Sequence, residues 1–257
     1  PFLRPRKTKK PTLKVAEPWE TVQKVRRPDR PTASDYITRL FSGFAELRGD
    51  RLSGNDPAVI CGIGDFQGHS VMIIGQQRLP DSAGQNQSVY ISPEGFRKAQ
   101  RAMRLASKFG LPVITLLDTA GPATSLDAEE RGIGHAIAST IALMAELPVP
   151  TIAVIVGEGG REGALALGIA DRILMLENAI FTPMSPEGAA SLMYRDHNRV
   201  EDAARSLRLT AWDALDMQII NDIVPEPSGG AHMDPDESAL QLQRALIRAI
   251  AQVQGVP

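Results

Sequence analysis

A glycine-rich stretch at residues 157–168 contains the residue types best suited to chemistry. It reads GEGGREGALALG and follows the apolar run VPTIAVIV, so we predict a strand, a tight turn and a helix beginning near Arg161. The first N–H groups of a helix lack acceptors within it and favour negative charge. Gly163 and Ala164 would then form a two-donor oxyanion hole. Close helix–strand packing also selects glycine, and the spacing alone leaves both interpretations open.

The stretch matches neither of two common nucleotide-binding motifs. A Walker loop ends in Gly-Lys-Ser/Thr, and the sequence contains no such ending. A dinucleotide fingerprint that starts at Gly157 needs its third glycine at position 162, where the chain has Glu162.

The surrounding elements predict where the stretch lies in a fold. From residue 93 onward, helical patterns alternate with continuous apolar runs, which is typical of an α/β layered domain with a mainly parallel sheet. Three predicted strands end in glycine-bearing polar loops, LLDTAG, VIVGEGG and FTPMSPEG. Ligands of open α/β sheets bind beyond the carboxyl ends of the strands, so we expect these loops to meet at a site.

Other patterns predict individual elements. A helix capped by Thr32 or Ser34 has apolar residues at helical spacing as far as Phe44. Two strands follow, joined by a turn at residues 67–68, and a long helix ends at Gly110. Residues 127–147 are predicted to form one helix, and residues 234–253 to form a closing amphipathic helix.

Composition limits the class of protein. The chain has 257 residues, of which 43% are hydrophobic and 23% charged, as in ordinary globular proteins. Its single cysteine, Cys61, excludes an internal disulfide and a cysteine-based zinc site, and we expect it to be a buried inert thiol. We recognise neither a membrane-spanning run nor a signal peptide, so the expected location is the cytoplasm.

The first thirty residues differ from the rest. They hold ten Lys/Arg against three Asp/Glu, and five prolines interrupt them. We predict a basic, proline-rich N-terminal arm at residues 1–30, with at most one short helix, before a domain at residues 31–257. The arm is interpreted as solvated, with docking on an acidic partner as the alternative; nucleic-acid binding is disfavoured because aromatic residues are scarce there.

The motifs together resemble the α subunit of bacterial acetyl-CoA carboxylase carboxyltransferase. They are RPTASDYITRLFSGFAELRGDR, SPEGFRKAQRAMRLASKFGLPVITLLDT, DAEERG, GEGG with GALALG, SPEGAASLMYR and IINDIVPEPSGGAH. The resemblance runs from about residue 27 to residue 253. It implies a crotonase-like (ClpP/crotonase) fold of repeated ββα units.

The resemblance also implies the chemistry and the partners. A carboxyl group would move from carboxybiotin, held on a carrier protein, to an acyl-CoA thioester. Gly163 and Ala164 would be the hole donors, and Gly121, Gly159 and Gly160 would line the biotin pocket, with Glu162 beside them. The partner would be a β-type chain bearing a zinc ribbon, in an α2β2 assembly, so that this chain itself carries no metal.

Three loops depart from the family pattern and keep alternatives open. Arg161 and Glu162 stand where the family loop has Ser and Gly, and a left-handed φ at position 162 would strain the turn. Residues 76–92 are shorter and carry little charge, with Arg78 kept, and residues 119–127 lack the expected Pro-Gly pair. The alternatives are a biotin-independent malonyl-thioester decarboxylase, acting on malonyl-CoA or a malonyl acyl carrier protein, and a non-catalytic scaffold or regulatory subunit.

Overall fold

The computed structural model of the chain describes residues 17–80, 86–87 and 89–254. Its strands are β1 Ser42–Glu46, β2 Val59–Phe66, β3 His69–Gln76, β4 Leu79–Pro80, β5 Asn86–Gln87, β6 Val113–Thr119, β7 Thr151–Gly160, β8 Arg172–Leu176, β9 Ile180–Thr182 and β10 Asp222–Val224. Its α-helices are α1 Pro18–Val25, α2 Ala33–Leu40, α3 Pro93–Phe109, α4 Leu126–Glu130, α5 Ile133–Ala145, α6 Arg161–Gly168, α7 Pro186–Tyr194, α8 Val200–Leu207, α9 Ala211–Asp216 and α10 Pro235–Gln254.

The main sheet has the strand order β1-β2-β3-β6-β7-β8-β10, and β9 pairs with the end of β7. Strand β2 is antiparallel to both of its neighbours, β1 and β3, whereas β3, β6, β7, β8 and β10 are parallel neighbours. Every residue of β6 and β7 is buried, because the central strands have apolar side chains on both faces. The α/β architecture with a mainly parallel sheet is therefore confirmed.

Helices cover the sheet and complete the core. Helix α3 contacts β2 and β3, and α6 contacts β6 and β7, while α5 contacts both of these helices. Helices α2 and α10 contact each other. Helix α2 also contacts β1, β3 and β6, and α10 contacts β7, β8 and β10. Helix α2 begins at a capping box in which the Thr32 side chain accepts from the Asp35 N–H and the Asp35 carboxylate accepts from the Thr32 N–H. Helix α3 ends at Gly110, as predicted, with φ +66.

Two helix predictions are wrong in their extent. The helix that starts after Thr32 ends at Leu40, and β1 follows, because Phe44 packs its ring against Gly62 of the paired strand β2. Residues 127–147 do not form one helix, since Gly132 takes φ +79 and separates α4 from α5. Apolar periodicity did not reveal either break, and α8 was not predicted.

The segment before α2 packs on the domain. Val22 and Val25 of α1 are buried against Ile180 and Leu209. Arg30 is 1% exposed, although the sequence analysis assigned it to the arm. The first sixteen residues of the predicted arm lie outside the described residues. The described part, from residue 17, forms a helix and buried contacts.

Candidate functional site

The ends of β6, β7 and β9 meet, as the sequence predicts. In the parallel pair β6–β7, Thr119 lies opposite Gly159, and in β7–β9, Gly160 lies opposite Thr182. The loops that follow β6 and β7 are therefore neighbours, and the glycine-rich turn lies between the other two segments. This juxtaposition places the predicted site residues, 121 and 159–164, in one region of the fold.

Helix α6 begins directly where β7 ends. Gly160 precedes the helix with an extended backbone, φ −92 and ψ 122, and Arg161 is the first helical residue, as predicted. Arg161 has φ +54, in the left-handed region that side chains with a Cβ rarely adopt. The strained position is therefore Arg161, and Glu162, for which strain was considered, does not have a positive φ.

The glycines of the turn are required by close packing. A Cβ on Gly160 would lie 2.6 Å from the Thr119 carbonyl oxygen, and one on Gly163 would lie 2.9 Å from the Gly121 backbone. A Cβ on Gly159 would lie 2.7 Å from the Phe181 ring. These distances support the packing interpretation of the glycines without excluding an oxyanion hole, since glycine also allows a ligand to approach the backbone closely.

Two charged side chains lie at the start of α6. Arg161 lies against Gly121, with its Cδ 3.2 Å from where a Cβ on Gly121 would be. The Arg161 Nε and a Glu162 carboxylate oxygen are 3.6 Å apart, and both side chains are substantially exposed. The two charges therefore face each other at the surface, and Arg161 covers the predicted cofactor face of Gly121.

The first turn of α6 offers backbone donors. Glu162 and Gly163 are its second and third residues, whose N–H groups have no acceptor within a regular helix. Neither N–H donates to any other group among the described residues. Ala164 is the fourth residue, and no hydrogen bond joins its N–H to the Gly160 carbonyl among the described residues. Gly163 and Ala164 are both fully or nearly fully buried and remain the predicted donor pair.

Gln76 contacts this turn, and the sequence analysis did not predict it. Its Nε2 donates to the Gly163 carbonyl oxygen at 2.6 Å, and its side chain is fully buried at the end of β3. Its Oε1 is buried without a hydrogen-bond partner among the described residues. The available signal was a polar residue at the end of the apolar run HSVMIIG, but the contact partner is 87 residues away along the chain.

A buried ion pair lies beneath the glycine turn. The Asp118 carboxylate, at the end of β6, accepts from the Arg78 Nε at 2.9 Å and from the Glu158 N–H at 3.0 Å. Both side chains of the pair are at most 1% exposed. The other nitrogens of the Arg78 guanidinium donate to two backbone carbonyls of the segment before α2. This pair ties the end of β6 to β7 and to the N-terminal segment.

Two further arginines, Arg26 and Arg30, attach the N-terminal segment through ion pairs. The Arg26 guanidinium bridges Glu158, at 3.1 Å, and Glu187, at 2.6 Å. The fully buried Arg30 pairs with Glu226 at 2.7 Å and donates to the Val156 carbonyl of β7. Burial acts to raise the pKa of the Glu226 carboxyl, but the Arg30 charge and hydrogen bonds from Arg30 and Asn178 outweigh burial and hold this pKa below its ordinary value.

The remaining candidate side chains give no acid–base set. Burial raises the pKa of the Cys61 thiol to about 12, which confirms the prediction of an inert thiol. Burial, with the nearby Arg27 charge, lowers the pKa of His232, whose Nδ1 has no partner in the described part of the chain. His135 is exposed on α5, where its Nε2 lies 3.4 Å from the Ser139 hydroxyl.

The described residues contain neither a metal-binding cluster nor a membrane-spanning helix. Across residues 17–80, 86–87 and 89–254, no cluster of three or more His, Cys, Asp or Glu side chains could hold a metal ion. Within the same residues, no helix has the length and apolar character needed to cross a membrane.

Solved structures share this fold. A transcarboxylase 12S structure with methylmalonyl-coenzyme A bound superposes with a TM-score of 0.72 at 18% identity, over 89% of this chain and 42% of that chain. A Pseudomonas malonate decarboxylase hetero-tetramer in complex with coenzyme A gives a TM-score of 0.71 at 16% identity, over 88% and 90% of the two chains. These likenesses confirm the predicted crotonase-like fold.

Sequence comparisons match almost the whole chain. The family model described as "Acetyl co-enzyme A carboxylase carboxyltransferase-like" matches residues 4–257. The acetyl-coenzyme A carboxylase carboxyl transferase subunit alpha of Deinococcus radiodurans is 49% identical over 232 residues, 90% of this chain and 73% of that protein. The Treponema denticola subunit alpha is 45% identical over 240 residues, 92% and 78% of the two chains. The chain therefore belongs to the acetyl-CoA carboxylase carboxyltransferase family.

Proposed function

We propose that this chain is the α-type subunit of an acetyl-CoA carboxylase carboxyltransferase, and that the first turn of α6 stabilises negative charge on a reacting oxygen. The observation that carries the proposal is the start of this helix. The N–H groups of Gly163 and Ala164 have no backbone acceptor outside α6 among the described residues, and the helix follows directly from the carboxyl end of a central parallel strand. In this proposal Gly163 and Ala164 are the two donors, and removing one such donor lowers the rate about 100- to 1000-fold.

The donor set fits the group that the family implies, carboxybiotin on a separate carrier protein. An oxygen that gains negative charge needs N–H donors, and these amides are held in place by the packing of Gly160 and Gly163 on residues 119–122. When bound, carboxybiotin supplies the transferred carboxyl group and a base. Gly121, Gly159 and Gly160 would line its pocket through backbone atoms.

Glu162 and Arg161 would adjust the charge at this pocket. Arg161 adds a positive charge to the positive end of the helix, and Glu162 opposes it from the next position. Because both side chains are exposed, either can move without unpacking the core. Movement of Arg161 would uncover Gly121.

The partners follow from the family relationship. We propose a β-type chain with a zinc ribbon, which would hold the acyl-CoA thioester, and a biotin carboxyl carrier protein, in a cytoplasmic α2β2 assembly. This chain alone is expected to be inactive.

A second candidate is favoured by the ion pair at Arg161 and Glu162. These charges stand where the biotin ring would approach, so a biotin-independent decarboxylase that acts on a malonyl thioester is the alternative. In that case the same amides would stabilise the charge that develops on a thioester oxygen when carbon dioxide leaves.

Reconstitution distinguishes the candidates. The chain is purified with its β-type partner, and carboxyl transfer to acetyl-CoA is measured with a carboxylated biotin carrier. The proposal expects transfer that requires both the partner and carboxybiotin. Release of carbon dioxide from malonyl-CoA without biotin would instead support the decarboxylase, and a folded complex inert in both assays would support the scaffold subunit.

A further inference from the structure

Gln76 is a buried polar side chain that the proposed function does not use. It is the last residue of β3, its side chain is fully buried, and its Nε2 lies 2.6 Å from the Gly163 carbonyl oxygen. The orientation of the amide group is fixed by chemistry, because only the nitrogen of the side chain can donate to a carbonyl oxygen. The contact joins the end of one strand to the first turn of α6.

Only one of the two polar atoms of the Gln76 amide, Nε2, has a hydrogen-bond partner among the described residues. Its Oε1 is buried and has no hydrogen-bond partner in the described part of the chain. An unpaired buried acceptor is destabilising, so an apolar residue would serve packing better at this place. Glutamine therefore lowers stability at this position unless the hydrogen bond from its Nε2 to the Gly163 carbonyl oxygen has a use.

The peptide that Nε2 holds is the one that carries a proposed donor. The carbonyl of Gly163 and the N–H of Ala164 belong to one planar peptide unit, so fixing the oxygen also fixes the direction of the N–H. A hydrogen bond accepted by the carbonyl polarises that unit and strengthens its N–H as a donor.

We propose that Gln76 is a positioning residue, which aims and polarises the Gly163–Ala164 peptide so that its N–H stabilises charge on the reacting oxygen. The inference rests on the proposed function. It adds a side chain to a site that otherwise consists of backbone groups.

A second contact of α6 provides a structural control. At the other end of the helix the Thr115 hydroxyl donates to the Leu167 carbonyl oxygen at 2.8 Å, also from a buried strand position. It holds the same helix through the same type of bond but does not touch the donor peptide. Gln77 provides a control for charge, since it is adjacent to Gln76 but donates to the Pro57 carbonyl instead.

The test uses the reconstituted complex with the partner chain and carboxylated carrier. Gln76→Met keeps the length and removes the donor, and kcat should fall about 10- to 100-fold with little change in KM. Gln76→Glu provides a pH readout. The protonated carboxyl of the new glutamate can donate to the Gly163 carbonyl oxygen, whereas the ionised carboxylate repels that oxygen. The kcat of Gln76→Glu relative to wild type should therefore rise as the pH falls.

Control variants and a second measurement distinguish a specific role of Gln76 from a general effect on the fold. Gln77→Glu and Thr115→Val should show a kcat ratio to wild type that is constant with pH. Hydrogen–deuterium exchange of the peptide spanning α6 should be faster in Gln76→Met than in Gln77→Met. Thermal unfolding of each complex identifies a variant that merely fails to fold. A lower folded fraction that is the same at every pH would reduce the kcat ratio of variant to wild type but would not change how this ratio depends on pH.

The outcomes separate this inference from the proposed function. Two results would overturn the role of Gln76 if the wild-type complex is active. One is a kcat of Gln76→Glu, relative to wild type, that does not change with pH. The other is an α6 peptide that exchanges no faster in Gln76→Met than in Gln77→Met. A wild-type complex that transfers no carboxyl group refutes the proposed function and the positioning role with it, even if the exchange responds. Acid rescue confined to Gln76→Glu, with faster exchange in Gln76→Met, supports the inference.

Discussion

At the scale of single residues, Arg161 is the most unusual position of the site. It combines a left-handed backbone, φ +54, with a side chain that covers Gly121. A non-glycine residue in this region costs roughly 1 kcal/mol or more, and strain of this kind concentrates at functional sites. The exposed contact with Glu162 at 3.6 Å offsets little of that cost.

Replacement of Arg161 by glycine should therefore stabilise the chain. We expect Arg161→Gly to raise the free energy of unfolding by about 1 kcal/mol, because glycine adopts positive φ without strain, as measured by urea denaturation. Arg195→Gly is the matched comparison, since Arg195 has φ +53 at the end of α7, away from the glycine turn. It should stabilise similarly and leave activity unchanged. A destabilised Arg161→Gly variant would show that the side chain contributes more than the strain costs.

Gly163 tests the packing of the donor turn. In Gly163→Ala the new Cβ would lie 2.9 Å from the Gly121 backbone, which cannot give way as a flexible side chain could. We expect a loss of about 1–3 kcal/mol in stability and a fall in kcat of at least about 10-fold. Gly134→Ala, inside α5 with no atom within 4 Å of the new Cβ, should instead be neutral or stabilising. Full activity in Gly163→Ala would contradict the close packing.

At the scale of elements, the sequence predicted what local patterns determine. The continuous apolar runs predicted β6 and β7, and the glycine-rich turn predicted the start of α6 at Arg161. Local patterns did not predict β1, because Phe44 fits a helical repeat and is drawn into a strand by its contact with Gly62. Gln76 and Arg30 were missed as site residues for a related reason, since their partners lie 87 and up to 196 residues away along the chain.

The link between β10 and α10 holds the segment before α2 through Arg30 and Glu226, and this connection should depend on pH. The folded pKa of Glu226 is depressed, so its contribution to stability is present above the ordinary carboxyl pKa of about 4.3 and is lost as the pH falls through the folded value. At pH 7, Glu226→Gln should cost about 3–5 kcal/mol, because Arg30 stays buried without a counter-charge.

Urea denaturation of wild type and Glu226→Gln over a pH series checks this. The difference between the two proteins should be largest near neutral pH and should narrow below about pH 4. Glu187→Gln, whose carboxylate is half-exposed in its pair with Arg26, should show a much smaller difference. A difference that is constant with pH would exclude the charge of Glu226 as its cause.

At the scale of the whole molecule, residues 17–30 pack against the rest of the chain. They bury the side chains of Val22, Val25 and Arg30 and pair with residues of β7, α7 and the segment after β10. The sequence analysis placed the arm boundary at residue 30 because proline and charge are dense there, and these local features cannot reveal where a buried arginine finds its partner.

Two deletions test this boundary. We expect a chain that lacks residues 1–30 to be less stable than one that lacks residues 1–16 by about 3–5 kcal/mol, because the first deletion leaves Glu226 buried without Arg30. Thermal unfolding of the two truncated proteins, each with the β-type partner, measures the difference. Equal stability would show that residues 17–30 are dispensable and would support the boundary at residue 30.

The contacts of Arg30 also bear on how the protein is made. On the ribosome Arg30 emerges early, but its partners Val156 and Glu226 are 126 and 196 residues later in the chain. A nascent chain therefore cannot complete the support beneath the glycine turn until synthesis has passed β10. Truncated translation products would carry the donor helix without this support, so a competent subunit is assembled only once Glu226 has been translated.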